Sequence, residues 1–328
     1  MATWLSALGP YLDVQAVLAK VGQIGLSAST AWHKVQQYGA RAQALEEVQR
    51  RAATALPSRR EPIAGTVRQG PRQGVALDGG MVPIRHEGWK ELKLGCHFEV
   101  GVCWERDPRT REWGQFGHAQ HTRYVAQLGG PEEFGNALWT LAYQRGWTRA
   151  ADTLVLGDGA VWIWNQAKLH FFDSLQAVDW YHADEHLAAA GQLLHGEGTP
   201  EAQAWRAARQ DALFGGHAAH IAEELLSAAE RAQARPPDAK RAEALATAAG
   251  YFQDNQRRMQ YQELREELWP IGSGMVESGA KQYKGRFAGP GMRWSRPGIN
   301  ALLPFRSAVM GGTAVFDALW QVVGCPTN

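Results

Sequence analysis

The order of strand-like and helix-like segments in the middle of the chain constrains its fold most strongly. Three consecutive segments carry β-branched and apolar residues at strand-like spacing: GVALDGGMVPI, LGCHFEVGVCW and WGQFGHAQHTRYVAQL. An amphipathic helix follows at PEEFGNALWTLAYQRG, with Pro131 in its first turn. The next two segments, TLVLGDGAVWIWNQAKLHF and SLQAVDWYHADEHLAAAGQLL, each have the pattern of a strand, a turn and a helix. This order predicts a mixed α/β domain in which antiparallel strands precede parallel ones.

The same pattern predicts that helices interrupt this domain. Residues 197–266 are rich in Ala, Glu, Arg and Gln and contain no strand-like run, so we expect two or three helices with a break at RPPDAK. The first part of the α/β core would then cover residues 74–196, and its last part residues 267–328. Three antiparallel strands followed by alternating helices and parallel strands is the plan of a ribonuclease-H-like domain.

A small helical region is expected ahead of the core. Residues 1–52 resemble a helix-turn-helix, in which Gly25 ends one short helix and Ser27 caps the next. The second helix would display four polar side chains, those of Thr30, His33, Lys34 and Gln37. Helix pairs of this kind also occur in proteins that do not bind DNA. Residues 53–73 are rich in Pro, Gly and Arg and are predicted to be a linker.

Composition places the chain among ordinary globular proteins. Of its 328 residues, 45% are hydrophobic, which is enough for a sizeable core. Its three cysteines form no CxxC pair, and neither a signal peptide nor a membrane span is evident, so we expect a soluble protein of the cytoplasm. The 14 tryptophans are an unusually large share; most are expected in the core, although tryptophan also packs well against bases.

The net charge of +1 does not indicate a nucleic-acid partner, but the charges are unevenly distributed. Between Ser278 and Phe316 there is no acidic residue, whereas six basic residues occur: Lys281, Lys284, Arg286, Arg293, Arg296 and Arg306. A second basic stretch has Glu61 as its only acid and contains Arg50, Arg51, Arg59, Arg60, Arg68 and Arg72. Such stretches are either solvated faces or DNA contacts.

Three acidic residues lie where chemistry can use them. Asp78 is predicted to end an apolar strand and is followed by two glycines, and Asp158 follows another strand between two glycines. Side chains at such strand ends project into a crevice of an α/β sheet. Glu277 falls in the first turns of a helix whose cap is expected to be Ser273. Taken singly, an Asp beside Gly is often a turn residue, and a Glu at a helix start often complements the helix dipole.

Three separated carboxylates are what two-metal phosphoryl transfer requires. Two divalent ions about 3.5–4 Å apart serve the attacking and the leaving oxygen, and Mg²⁺ needs only a few hard oxygen ligands because it retains water. We expect Asp78 to bridge both ions, and Asp158 and Glu277 to hold one each.

Several longer motifs make the sequence similar to a known family. DGGMVPIR, GDGAVWIWN, DWYHADEHL, YFQDNQRRMQY and the long WPIGSGMVESGAKQYKGRFAGPGMRWSRPGINALLPFRS resemble segments of the DDE transposases of bacterial insertion sequences. The resemblance is closest to the Kra-type group, with its helical insertion before the last acid, and covers most of the chain from about residue 74 onward.

The resemblance implies a ribonuclease-H-like fold with Asp78, Asp158 and Glu277 as catalytic and metal-binding residues. It implies two Mg²⁺ or Mn²⁺ ions per site, cleavage at the terminal inverted repeats of the element, and joining of the freed 3′ hydroxyl to target DNA. His182 corresponds to a recurrent family position and is a secondary candidate, with a structural role as its alternative. The expected DNA contacts are Lys281, Lys284, Arg286, Arg293, Arg296, His33 and Lys34.

The resemblance also implies a homodimer or larger assembly, because two element ends must meet, and a nucleoid-associated protein of the bacterial cytoplasm without a membrane partner. Two alternatives stay open. One is another ribonuclease-H-like nuclease, such as a junction resolvase. The other is a truncated or domesticated relative that binds DNA without moving it; family members usually carry more sequence before the helix pair, which favours that alternative, while the presence of all three acids disfavours it.

Overall fold

A computed structural model of the protein describes residues 1–54, 69–107, 110–234 and 238–325. The strands are β1 (Gln73–Ile84), β2 (Gly88–Arg106), β3 (Trp113–Gln127), β4 (Thr153–Gly157) and β5 (Leu175–Val178). The helices of the first two thirds of the chain are α1 (Ala2–Leu8), α2 (Tyr11–Lys20), α3 (Ala28–Thr54), α4 (Pro131–Gln144), α5 (Val161–His170), α6 (Trp180–His195) and α7 (Pro200–Phe214). The remaining helices are α8 (Ala218–Gln233), α9 (Ala239–Asn255), α10 (Tyr261–Glu266), α11 (Gly274–Phe287), α12 (Arg296–Met310) and α13 (Thr313–Val323).

The five strands form one mixed sheet in the order β3-β2-β1-β4-β5. The first three strands pair antiparallel, whereas β1 with β4 and β4 with β5 pair parallel. Each parallel connection passes through a helix, as parallel pairing requires. The predicted mixed α/β class, with antiparallel strands preceding parallel ones, is therefore confirmed.

The prediction that Asp78 ends its strand is wrong. β1 continues to Ile84 because it pairs with β2 along its whole length. The pairing of β1 with β4, on its other edge, ends close to Asp78. The last residues of these two strands that face each other are Ala76 and Leu156. Beyond that point the edge of β1 that faces β4 has no strand partner among the described residues until Ile84, which forms an isolated bridge with Trp294.

Two apolar cores hold the helices on the sheet. The larger one joins the buried residues of β1, β4 and β5 to α4, α5 and α6 and to the helices that follow them. The other joins residues of the β1–β2 hairpin, such as Val82 and Leu92, to α11, α12 and the amino-terminal helices. Helices therefore cover both faces of the sheet, as expected where strands are parallel.

The predicted insertion between residues 197 and 266 is helical, but its described residues form four helices, α7 to α10, rather than the two or three expected. It does not stand apart from the core. Trp180 of α6, for example, packs against Phe214 of α7 and Tyr261 of α10, with ring centroids 5.8 and 4.9 Å apart.

The amino-terminal region forms the expected pair of helices, α2 and α3. Ser27 caps α3 as predicted, because its hydroxyl accepts the N–H of Thr30 at 3.1 Å. However, α2 ends at Lys20 rather than at Gly25, since the chain already turns at Gln23, whose φ is 51°. Of the predicted linker, residues 55–68, with Arg59, Arg60, Glu61 and Arg68, lie outside the described residues.

Helix α3 has 27 residues and packs closely along α12. A Cβ atom built on Gly39 would lie 2.4 Å from the carbonyl oxygen of Ala301, so the two backbones touch where Gly39 has no side chain. The amino-terminal helices therefore rest on the carboxyl-terminal part of the chain.

We expect Gly39→Ala to lower the free energy of unfolding by about 1–3 kcal/mol, because the added methyl group meets backbone that cannot move alone. Gly250→Ala is the matched control: Gly250 is also inside a helix, but nothing lies within 4 Å of its built Cβ. We expect Gly250→Ala to raise the free energy of unfolding by about 0.5–1 kcal/mol, because alanine has the higher helix propensity. Urea unfolding of both variants checks this, and equal effects would contradict the close α3–α12 contact.

Candidate functional site

Three neighbouring parallel strands carry an acidic residue at the same level of the sheet, inside β1 and directly after β4 and β5. Ala76, Leu156 and Ala177 face one another across β1, β4 and β5. Two residues further along each strand come Asp78, Asp158 and Asp179. Because adjacent strands lie about 4.8 Å apart and side chains alternate with period two, this register brings the three acids to one edge of the sheet.

The electrostatics of Asp78 reflect this crowding. Burial, and then the negative charge of Asp158, raise the pKa of Asp78, while the backbone N–H of Gly79 and the charges of His182 and Lys284 act in the opposite direction. The net shift is upward, so the carboxyl group loses its proton less readily than in water. A bound cation would favour the charged form.

The turn after β4 holds Asp158 from both sides. One carboxylate oxygen of Asp158 accepts the N–H of Ala160 at 2.8 Å. On the other side, the hydroxyl of Tyr251 donates to the carbonyl oxygen of Asp158 at 3.1 Å. Gly159, between them, has a φ of 104°, and a Cβ there would lie 2.6 Å from the Tyr251 ring. Tyr251 belongs to α9, so the helical insertion contacts the Asp158 turn directly.

Asp179 is fully buried and connects the sheet to two helices. As the N-cap of α6, its side chain accepts the N–H of His182 at 2.8 Å. Its other oxygen accepts the N–H of Ser273, the residue before α11. One carboxylate oxygen therefore binds the beginning of α6, and the other binds the beginning of α11.

This contact corrects the predicted role of Ser273. Ser273 is the N-cap residue of α11, but its hydroxyl makes no capping hydrogen bond. Its carbonyl oxygen accepts the N–H groups of Val276 and Glu277 at 2.8 and 3.1 Å, and its own N–H goes to Asp179. Asp179 thereby helps to set the position of Glu277 in the first turn of α11.

Glu277 lies beside His182 and Asp179. One ligand atom from each of these three residues lies within 4.8 Å of the other two, close enough to share a metal ion. Among the described residues, Asp78 and Asp158 belong to no group of three that is this tight. The structure thus places Asp78 beside Asp158 and Glu277 beside His182, and the charge of His182 acts on Asp78.

A cavity of about 600 Å³ opens over Asp78 and Asp158. Its wall includes two aromatic side chains, Trp89 and Trp162, and one lysine, Lys284. Lys284 lies against Gly80, where a built Cβ would be 3.3 Å from its Cε. The cavity thus combines two carboxylates and one lysine on its wall.

The other predicted DNA contacts have different environments. The side chains of Lys281, Arg293, His33 and Lys34 are exposed. Arg296 is paired with Glu87, with a shortest N–O distance of 2.6 Å, and lies partly exposed.

Arg286 does not have the exposure that its predicted DNA contact requires. It is 3% exposed, its Nε donates to the carbonyl oxygen of Ser6 at 2.9 Å, and burial lowers its pKa to about 10. Arg306 is buried in the same way and donates to the carbonyl oxygen of Ala7 at 3.1 Å. Both guanidinium groups bind the end of α1, where backbone carbonyls have no helical partner.

A comparison with models of known protein families gave no match, and a comparison with curated proteins gave none either. In the part of the chain that the structure describes, no helix combines the length and the apolar character needed to cross a bilayer.

Replacement of Asp179 by Asn should weaken the attachment of α6 or α11 to the sheet and lower the free energy of unfolding. An amide has only one acceptor oxygen, so the N–H of either His182 or Ser273 loses its partner in a buried place, which costs about 1–3 kcal/mol. Urea unfolding measures this loss. Asp238→Asn is the control, because Asp238 also precedes a helix but its side chain makes no capping hydrogen bond. Its substitution should change the free energy of unfolding by no more than about 0.5 kcal/mol. If Asp179→Asn were as stable as the control, Asp179 would not hold α11.

Proposed function

We propose that this protein is a DDE transposase of a bacterial insertion sequence, with a ribonuclease-H-like catalytic core. It would cleave DNA strands at the ends of its element and join the freed 3′ hydroxyl groups to target DNA. The observation that carries this proposal is the register that aligns Asp78 and Asp158 on adjacent parallel strands. The strand order and Glu277, on a helix beyond the insertion, support it.

The donor set fits two divalent ions, Mg²⁺ or Mn²⁺. Asp78 and Asp158 supply hard oxygen ligands in a half-buried place where the pKa of Asp78 is raised, so cations would relieve an unfavourable concentration of negative charge. Glu277 and His182 supply a carboxylate and an imidazole beside Asp179, the acid at the same level of the next strand. When bound, such ions activate the attacking oxygen and stabilise the leaving oxygen.

The protein's own residues would then orient the DNA. Lys284 supplies a positive charge on the cavity wall, in reach of a phosphate beside the acids. Lys281, one helical turn before it, and Arg293 extend this basic surface, while the exposed His33 and Lys34 of α3 would bind DNA away from the acids. Arg286 has no part in this interface because it is buried.

Transposition requires two element ends to meet, so the active form would be a homodimer or a larger assembly on DNA. The protein would then act in the bacterial cytoplasm at the nucleoid.

Asp158→Asn tests the proposal, with linear DNA that carries the gene and its natural flanks, in Mg²⁺ or Mn²⁺. We expect the wild type to cleave at the element ends, and the variant to retain less than about one hundredth of that rate because it loses a metal ligand. Its DNA affinity should be nearly unchanged. Asp152→Asn is the control. Asp152 is exposed and directly precedes β4, whereas Asp158 directly follows this strand.

Cleavage by Asp158→Asn at the wild-type rate would contradict the assignment. If the wild-type protein bound the DNA but never cut it, the alternative of a DNA-binding relative without transposase activity would replace the proposal. Loss of both binding and cleavage in Asp158→Asn alone would indicate a structural role for Asp158.

A further inference from the structure

The cavity over the acids extends around the unpaired edge of β1 and joins both faces of the sheet. Asp78 and Gly80 belong to one face, where Lys284 of α11 packs against Gly80. On β2, Trp89 and Glu91 belong to the opposite face, because they pair with Pro83 and Met81 and side chains alternate along a strand. Of these seven residues, all except Pro83 line the cavity.

The face of the sheet that carries Met81 and Trp89 offers an apolar surface beside the face that carries Asp78. Trp89 is 59% exposed and Met81 is 46% exposed, so both side chains offer apolar surface to a ligand in the cavity. Trp162 is already covered, since the ammonium group of Lys93 lies 4.1 Å from its ring centroid. Trp89 is therefore the ring that is free to accept a planar partner.

We propose that Trp89 stacks on an unpaired base of the DNA strand whose phosphate lies at Asp78 and Asp158. This inference rests on the proposed function and names a specific contact for it. The charges favour a nucleotide: Lys284 attracts the phosphate, cations at the carboxylates attract it further, and the uncharged base meets Trp89. Glu91 lies two residues from Trp89 on the same face. One of its carboxylate oxygens accepts the ammonium group of Lys93 at 2.8 Å, and the other can accept a hydrogen bond from an amino group of the base.

The geometry favours an unpaired strand over a duplex. The cavity volume of about 600 Å³ falls in the range of sites for single small molecules and admits one nucleotide. Because the phosphate and the base would lie on opposite faces of the sheet, the strand must cross the edge of β1 at Gly79 and Gly80. A base that remained in a duplex stack would not reach Trp89.

The experiment compares two DNA probes with the full-length protein in Ca²⁺. One probe is a short duplex with a single-stranded 3′ tail of thymidines, in which 2-aminopurine replaces one base next to the junction; the other is the same duplex without a tail. We expect Trp89→Ala to weaken binding of the tailed probe about tenfold and to abolish quenching of the 2-aminopurine fluorescence, because one stacking contact is lost. Binding of the blunt duplex should stay within about twofold, and Trp89→Phe should restore most of the quenching.

Trp104→Ala is the matched control. Trp104 lies on the same strand, is 65% exposed, and is roughly 50 Å away along β2, so its loss should change neither probe. Thermal melting of each variant verifies folding.

Three results would overturn the inference. In the first, Trp89→Ala binds the tailed probe with wild-type affinity, and in the second it loses as much affinity for the blunt duplex as for the tailed probe. In the third, Trp104→Ala loses as much affinity for the tailed probe as Trp89→Ala does. In each of these cases the wild type still binds DNA, so the proposed function stands and only the base contact fails. If the wild type bound neither probe, the inference and the proposed function would fail together.

Discussion

The pairing of β1 with β4 forces two carboxylates to lie side by side, and the arrangement of the site follows from this constraint. Asp78 and Asp158 each stand two residues beyond the last paired residues of these strands. The sheet is rigid and covered on both faces, so the two side chains cannot move far apart to reduce their repulsion. Burial of Asp78, and then the negative charge of Asp158, raise the pKa of Asp78. A cation bound between the two carboxylates would relieve their repulsion.

The remaining parts of the site are attached to these two acids through hydrogen bonds between distant segments. Asp179, at the same level on β5, binds the beginnings of α6 and α11 and so brings His182 and Glu277 to the edge of the sheet. Tyr251 of α9 binds the Asp158 turn. The helical insertion therefore supports the site directly, although it supplies none of the three acids that we assign to catalysis.

Most of the architecture could be predicted from local patterns. The strand-like segment at residues 74–84 became β1 with a single added residue, and the insertion is helical as expected. Asp78 and Asp158 were predictable because an apolar run ended by Asp and Gly is visible in one sequence. The same reasoning applied to QAVD would have found Asp179.

Other features could not be predicted because they depend on contacts between distant residues. The basic pattern after Glu277 resembles a solvated surface, yet Arg286 and Arg306 turn inward to the carbonyl groups at the end of α1, almost 300 positions earlier. The long run of α3 along α12 and the Tyr251 contact are of the same kind. No periodicity or spacing in the sequence encodes them.

We infer that Asp78, Asp158 and Glu277 hold divalent ions together. Hydroxyl-radical cleavage of the polypeptide by bound Fe²⁺ tests it most directly, because Fe²⁺ can occupy oxygen and imidazole sites and cuts only the chain near it. We expect cuts close to all three residues, suppressed by excess Mg²⁺ and absent in Asp78→Asn. Cuts elsewhere in the chain, or an unchanged pattern in Asp78→Asn, would contradict it.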